Sequence, residues 1–144
     1  MVRQQQPATP AHGARRLRSW IESPLLDVGR IYERQEAVAE LAAAAELREA
    51  IVAQLKAVAD LERIVCRIEV GSANARDLVA LRNSLSVLPG LKGILEGCSS
   101  GLLRKLWKGL HLHEELAARL QQAIVDEPPF SVREGGMIRD GYNL

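Results

Sequence analysis

The 144-residue sequence predicts an all-α fold, a single-domain multi-helix bundle with a short extended C-terminal strap, and three observations carry that reading. Apolar residues recur at three-and-four spacing through most of the chain, the period that puts them on one face of a helix. Asp and Asn stand where such stripes begin, supplying acceptors for the unpaired N–H groups of a first helical turn. Beyond Pro128 and Pro129 the periodicity stops, and Gly135 and Gly136 interrupt a short apolar segment, as in an extended or hairpin-like strap. With 47% hydrophobic residues, the chain suits one domain with its own core.

Residues 1–12 contain three consecutive Gln and two Pro and have almost nothing to bury, so a disordered N-terminal arm is expected. The helical core then spans residues 13–127 and the strap 128–144. In the first helix Leu17, Trp20 and Ile21 share a face, Arg15, Arg16 and Arg18 lie opposite, and Pro24 marks the stop. Asp27 caps a second helix with Val28, Ile31, Tyr32, Val38 and Leu41 on its stripe; Leu47, Ile51, Leu55 and Val58 continue the period past Ala42–Ala45. Asp60 opens a helix with Leu61, Ile64, Val65 and Ile68 inward, and Gly71 ends it. Asn74 precedes a further helix with Asp77 in its first turn and a stripe of Leu78, Leu81, Leu85 and Leu88, which Pro89 and Gly90 are expected to break. A last long helix is expected from Leu102 to Val125, with Leu103, Leu106, Leu110, Leu116, Leu120 and Ile124 available for burial. In the strap, Phe130, Val132 and Ile138 are expected to pack back on the helices. Order should fade over Asp140–Leu144, making Arg139 an early proteolytic site.

Nineteen Lys and Arg against 18 Asp and Glu give a net charge of +1, no global case for a nucleic-acid or membrane partner. Five aromatic residues, Trp20, Tyr32, Trp107, Phe130 and Tyr142, are too scattered for a platform on which successive bases stack. No secretory signal and no apolar run of membrane-spanning length is read, and Cys66 and Cys98 fall in apolar helical stretches, so free thiols in a reducing cytoplasm are expected.

Catalytic constellations are not found. The glycines from Gly90 to Gly101 lack the Gly-Lys-Ser/Thr triplet that cradles phosphates. His111 and His113, two apart on a helix, would diverge rather than share a metal, and Glu114 and Glu115 are neighbours that do not converge on one substrate. Cys66 has neither a His nor a second Cys beside it, so it reads as a small buried hydrophobe. Arg15, Arg16 and Arg18 could touch DNA phosphates, or could form a solvated helix face.

Several strings carry a family resemblance. Gly13-Ala14-Arg15-Arg16-Leu17-Arg18-Ser19-Trp20-Ile21-Glu22-Ser23-Pro24-Leu25 fits G-(S/A)-R-x-L-R-x-W-(L/I)-x-x-P-L, and Ile31 to Val38 fits I-x-x-R-x-(D/E)-x-V. Asp60-Leu61-Glu62-Arg63 with Arg67, Ile68, Gly71, Asn74, Arg76, Asp77 and Leu78 fits D-L-E-R-x-x-x-R-(I/L)-x-x-G-x-x-N-(P/A)-R-D-L. Val125-Asp126-Glu127-Pro128-Pro129, followed by Val132 to Gly136 and Ile138 to Tyr142, matches a strap segment. From about Thr9 to the last residue the sequence thus resembles the core domain of the MutS family of DNA mismatch repair proteins.

The resemblance implies a helical connector that, in a full-length relative, links ATP-dependent binding of mismatched double-stranded DNA to the ATPase, with the strap leading toward a lever and clamp. It implies ATP and Mg as cofactors and MutS-like subunits as partners of the whole protein, in a cytoplasmic, nucleoid-associated repair complex. No string here matches the family's P-loop ATPase, clamp or Phe-x-Glu mismatch-reading motif, so no enzymatic activity, and at most weak DNA binding, is expected of the chain itself. Fragment, split gene and stand-alone paralogue stay open, the last as a helical interaction module docking on MutS-like subunits as a regulator. Asp60, Arg63, Arg67, Gly71, Asn74, Arg76 and Asp77 are expected to be structural. They form two capped helices joined by a Gly turn, with the charged members supplying ion pairs. Gly135 and Gly136 are assigned to the strap motif.

Overall fold

A computed structural model describes residues 11–142. Within them the chain forms seven α-helices: α1 Ala11–Glu22, α2 Val28–Ala43, α3 Ala45–Lys56, α4 Leu61–Glu69, α5 Ala75–Glu96, α6 Gly101–Gly109 and α7 Glu114–Ala123. A 3-10 turn, Val132–Glu134, and one antiparallel bridge between Ile124 and Ile138 complete the strap. Of the expected arm, residues 1–10 lie outside the described residues, and Ala11 and His12 already belong to α1.

The organising element is α5. Asn74 caps it with a full capping box: the Asp77 N–H donates to the Asn74 side chain at 3.0 Å, and the Asn74 N–H donates to Asp77 at 2.9 Å. Contrary to the sequence reading, Pro89 and Gly90 do not end it, and the helix continues to Glu96. Proline forfeits one backbone hydrogen bond and strains the preceding turn. Leu85, Leu88, Leu91 and Leu95 are buried on both sides of the proline, so packing holds the helix together across it. By length and composition the resulting 22-residue helix could cross a membrane, which corrects the expectation that no run is long enough. Here it contacts α3, α4, α6 and α7 and turns Arg82 and Ser84 inward.

Two apolar clusters form along it. Ala37, Leu91, Leu95, Cys98 and Leu103 make the larger, flanked by Leu41, Ile51, Leu55 and Trp107. Ala75, Ala123 and Ile124 make the smaller, with Leu78, Val79 and Met137 against it. At Ala37 the small side chain permits close approach of α6 to α2.

Other expectations are corrected in the same way. The stripe through Ala42–Ala45 is broken at Ala44, where Arg48 donates to the Leu41 and Ala42 carbonyls at 2.9 and 3.3 Å and satisfies the end of α2. The long last helix is two: α6 ends at Gly109, Lys92 donates to the Leu110 carbonyl at 2.8 Å, and His113 takes a left-handed conformation before α7. Leu106 and Leu116, at the edges of this break, are exposed. So are Leu17, Trp20, Ile21, Val28, Tyr32 and Val38, because α1 packs little and the inward side of α2 runs through Ala37 and Leu41. In α4 only Ile64 is buried; Val65, Ile68 and Cys66 face solvent, since the inward row is Leu61, Ile64 and Arg67.

Candidate functional site

Two junctions on α5 gather the charged residues. The first is the α4–α5 corner. Asp60 caps α4 by accepting from the Arg63 N–H at 3.3 Å, and Gly71 at φ +69° turns the chain out of it, a conformation in which a side chain would be strained. The Arg67 carbonyl takes the N–H groups of Ser72 and Ala73, its guanidinium reaches the Ser72 carbonyl at 3.2 Å, and it pairs with Asp77 at 3.3 Å. Arg67 and Asp77 thus join α4 to α5 at the corner. Among the described residues, Arg63 supplies only its N–H there.

Arg15 joins this corner from α1. Its guanidinium grips both Asp60 oxygens at 2.8 Å and reaches Glu62 at 2.8 Å. The Arg15 bonds, helped by the Arg63 N–H, hold the Asp60 carboxyl down at about 2, and the bonds to Asp60 and then Glu62 raise the Arg15 pKa. Arg18 pairs with Glu22 at 2.9 Å. Of the three arginines considered for DNA contact, two are thus engaged with carboxylates, and among the described residues Arg16 makes no ion pair.

The second junction is where α7 becomes the strap. Arg82, only 7% exposed, sends its guanidinium from α5 to the Ile124 carbonyl at 3.3 Å and to Asp126 at 3.0 Å. Arg139 returns from the far side of the strap to the same Asp126 oxygen at 2.8 Å, and its Nε donates to the Gln121 and Ile124 carbonyls. Backbone bonds from Arg139 N–H to the Ala123 carbonyl and from Val125 N–H to the Met137 carbonyl bracket the contact. The Arg139 hydrogen bond, then the charges of Arg139 and Arg82, lower the Asp126 pKa. One step further, Arg76 donates to the Pro128 carbonyl at 3.3 Å and lies over the Phe130 ring at 5.1 Å. Gly135 and Gly136, at φ +71° and +69°, provide the reversal that brings Arg139 back.

The strap is therefore fastened by polar groups rather than by the apolar residues expected. Phe130, Val132 and Ile138 are exposed, while Pro128 is buried and Met137 half-buried. Arg139 is bonded to the Gln121, Ala123 and Ile124 backbone and to Asp126 instead of lying at a loose end; Asn143 and Leu144 lie outside the described residues.

Three partners in this scheme were missed in the sequence reading. Arg82 carried a signal: four residues after Leu78 and three before Leu85, it lies on the inward stripe, where an unpaired charge is costly. Asp126 and Arg139 carried none, because their meeting depends on the reversal at Gly135 and Gly136. Glu40 is similar: its carboxylate accepts the Ser99 and Ser100 N–H groups at 2.7 and 2.8 Å, capping α6 from α2. The adjacent Ser100 hydroxyl and these two N–H groups hold its carboxyl at about 2. Among the described residues the Ser100 Oγ completes no hydrogen bond, whereas the Ser99 hydroxyl donates to Glu40 at 3.0 Å, so the two N–H groups and the Ser99 hydroxyl are the direct contacts.

Arg donors and carboxylate acceptors in mutual contact leave no free base beside a nucleophile. Cys98 is buried with its thiol pushed up by burial and by Glu40, the opposite of activation. His111 and His113 sit in the α6–α7 link with ring centroids 6.3 Å apart. Among the described residues no three His, Cys, Asp or Glu side chains gather as metal ligands.

A family model described as MutS domain III matches residues 8–143. DNA mismatch repair protein MutS of Listeria monocytogenes is 47% identical over 133 residues, 92% of this chain and 16% of that protein. The MutS proteins of an Anaeromyxobacter species and of Symbiobacterium thermophilum are each 46% identical over 133 residues. The chain spans 15 to 16% of the length of these relatives. With its whole described length accounted for by one family model, this chain belongs to the MutS family, as its domain III.

Proposed function

We propose that this domain is the connector of a MutS-type mismatch repair protein, a helical frame that transmits force between the DNA-binding and ATP-hydrolysing parts through its strap. The observation that supports it is the single carboxylate of Asp126 held by Arg82 from α5 and by Arg139 from the strap. A strap fastened at its exit by directional, charge-assisted bonds passes a displacement to α5, whereas one resting on apolar contacts would slide. On this reading ATP and magnesium bind elsewhere in the whole protein. Mismatched duplex is gripped by other domains, and MutS-like subunits are the protein partners.

The test is Asp126→Asn in a full-length MutS-type protein carrying this domain. ATP binding and DNA binding should each persist, while the dependence of ATP hydrolysis on mismatched DNA falls. Coupling is a free energy between sites, so it can be lost without losing either site. Unchanged mismatch dependence in a variant whose strap has measurably loosened would refute the connector role.

A further inference from the structure

The α1–α2 turn and α6 enclose a cleft of about 250 Å³ lined by Trp20, Leu25, Arg30, Glu33, Arg34, Leu102 and Lys105. It is smaller than the roughly 300 to 1,000 Å³ of pockets that take drug-sized ligands, so any occupant is a small group or one end of a larger molecule. Its charge is net positive, three cations against Glu33. Lys105 and Glu33 pair with each other, and among the described residues neither Arg30 nor Arg34 pairs with a carboxylate. The nearby Asp27 carboxylate accepts the Arg30 backbone N–H, as the cap of α2. Arg34 lies over the Trp20 ring at 3.8 Å, which fixes the plane of its guanidinium and leaves the edge N–H groups available. The stack also covers one face of Trp20, which argues against a base or other aromatic ring as the occupant.

We propose that this cleft is an anion site for a phosphate group, with Arg30 and Arg34 as the donors and the Lys105–Glu33 pair at its edge. Guanidinium forks match phosphate oxygens bidentately, and Leu25 and Leu102 form an apolar floor that strengthens the attraction by displacing water. The cations available to phosphate thus lie on α2, whereas Arg15 and Arg18 on α1 and Lys105 on α6 are held by acids. A free phosphate compound and the backbone of a nucleic acid share this chemistry.

The test is a titration of the 144-residue chain with inorganic pyrophosphate and, separately, with a short DNA duplex, following the indole N–H resonances of its two tryptophans by NMR. Trp20 should shift saturably, while Trp107, in the α6 core contact, serves as the unmoved control. Arg30→Gln, which leaves the Arg34–Trp20 stack in place, should weaken binding by at least about fivefold, the scale of losing one charge-assisted hydrogen bond at a partly exposed site. A shift with pyrophosphate alone assigns a free phosphate compound; a shift with duplex at lower concentration, weakening with salt, assigns the nucleic-acid backbone. No saturable Trp20 shift with either, equal affinity in Arg30→Gln, or an equal response to a polyglutamate peptide overturns the proposal.

Discussion

The Ser84 side chain has no solvent exposure, and its hydroxyl ties two parts of the chain: it accepts from the Ala59 N–H at 2.9 Å and donates to the Ala80 carbonyl at 2.7 Å. Ser84→Ala removes the acceptor without supplying another and should destabilise the fold by about 1 to 3 kcal/mol, read as a lower urea midpoint at unchanged slope. A second residue-scale expectation concerns acid. The Ser100 hydroxyl with the Ser99 and Ser100 N–H groups holds Glu40 at about 2, Arg15 with the Arg63 N–H holds Asp60 at about 2, and Arg139 lowers Asp126. A carboxyl whose folded pKa lies below its unfolded value stabilises fully above the unfolded value, and that contribution is lost as pH falls through the folded value. Stability should therefore decline below about pH 4, where unfolded carboxyls titrate. Glu40→Gln should be less stable at neutral pH and approach the parent curve on acidification; an offset that persists undiminished in acid would contradict the role of Glu40 as a charged cap. Legibility at this scale followed distance in sequence. Asp27, Asp60 and Asn74 were readable as caps because a cap and the N–H it serves lie within three residues. Glu40 does the same work across 59 and 60 residues and left no local trace.

Among the elements, α5 makes the strongest predictions. Asn74→Ala breaks the capping box that starts it and should cost about 0.5 to 2 kcal/mol in chemical denaturation. Pro89→Ala restores a backbone donor in the interior of the helix and should raise stability, by up to about 3 kcal/mol if the proline's full cost is relieved. A lower denaturation midpoint would show that the proline ring is needed where it stands, beside Gly90, where a Cβ would come within 3.2 Å of Gln54 Oε1 of α3. The sequence misled in both directions here: a proline marked an end that packing overrides, and a leucine stripe concealed an end that is real. In the region of α6 and α7 the stripe steps from Leu110 to Leu116, and the positions between that would complete it are His113 and Glu114. That gap of six was the trace of the break, and it was hidden by the regular leucines on either side. Trp20 and its neighbours on α1 posed the opposite difficulty. Their spacing describes a helix correctly, yet a pattern of apolar residues cannot say whether the matching surface lies within the same chain.

At the scale of the molecule, the domain is a frame around α5 with a clasp at each of two corners, one between α4 and α5 and one where the strap leaves α7. The all-α class and the existence of a strap were legible because they depend on periodicity and on Pro128, Pro129 and the two following glycines. How the strap is held was not, since Arg82, Asp126 and Arg139 come from three separate stretches of sequence. Leu17, Ile21, Leu26, Val28 and Tyr32 stand exposed on α1, the turn and α2, in a chain that spans 15 to 16% of the length of its relatives. The central claim is that the strap is fastened to α5 through Asp126, and native-state hydrogen exchange of the Val125 and Arg139 amides tests it most directly. Both amides donate across the strap, to the Met137 and Ala123 carbonyls. In the parent chain they should be protected nearly as well as the amides of α5, and in Asp126→Asn that protection should fall while α5 is unchanged. Exchange of Val125 and Arg139 at unprotected rates in the parent, or full protection in the variant, would contradict it.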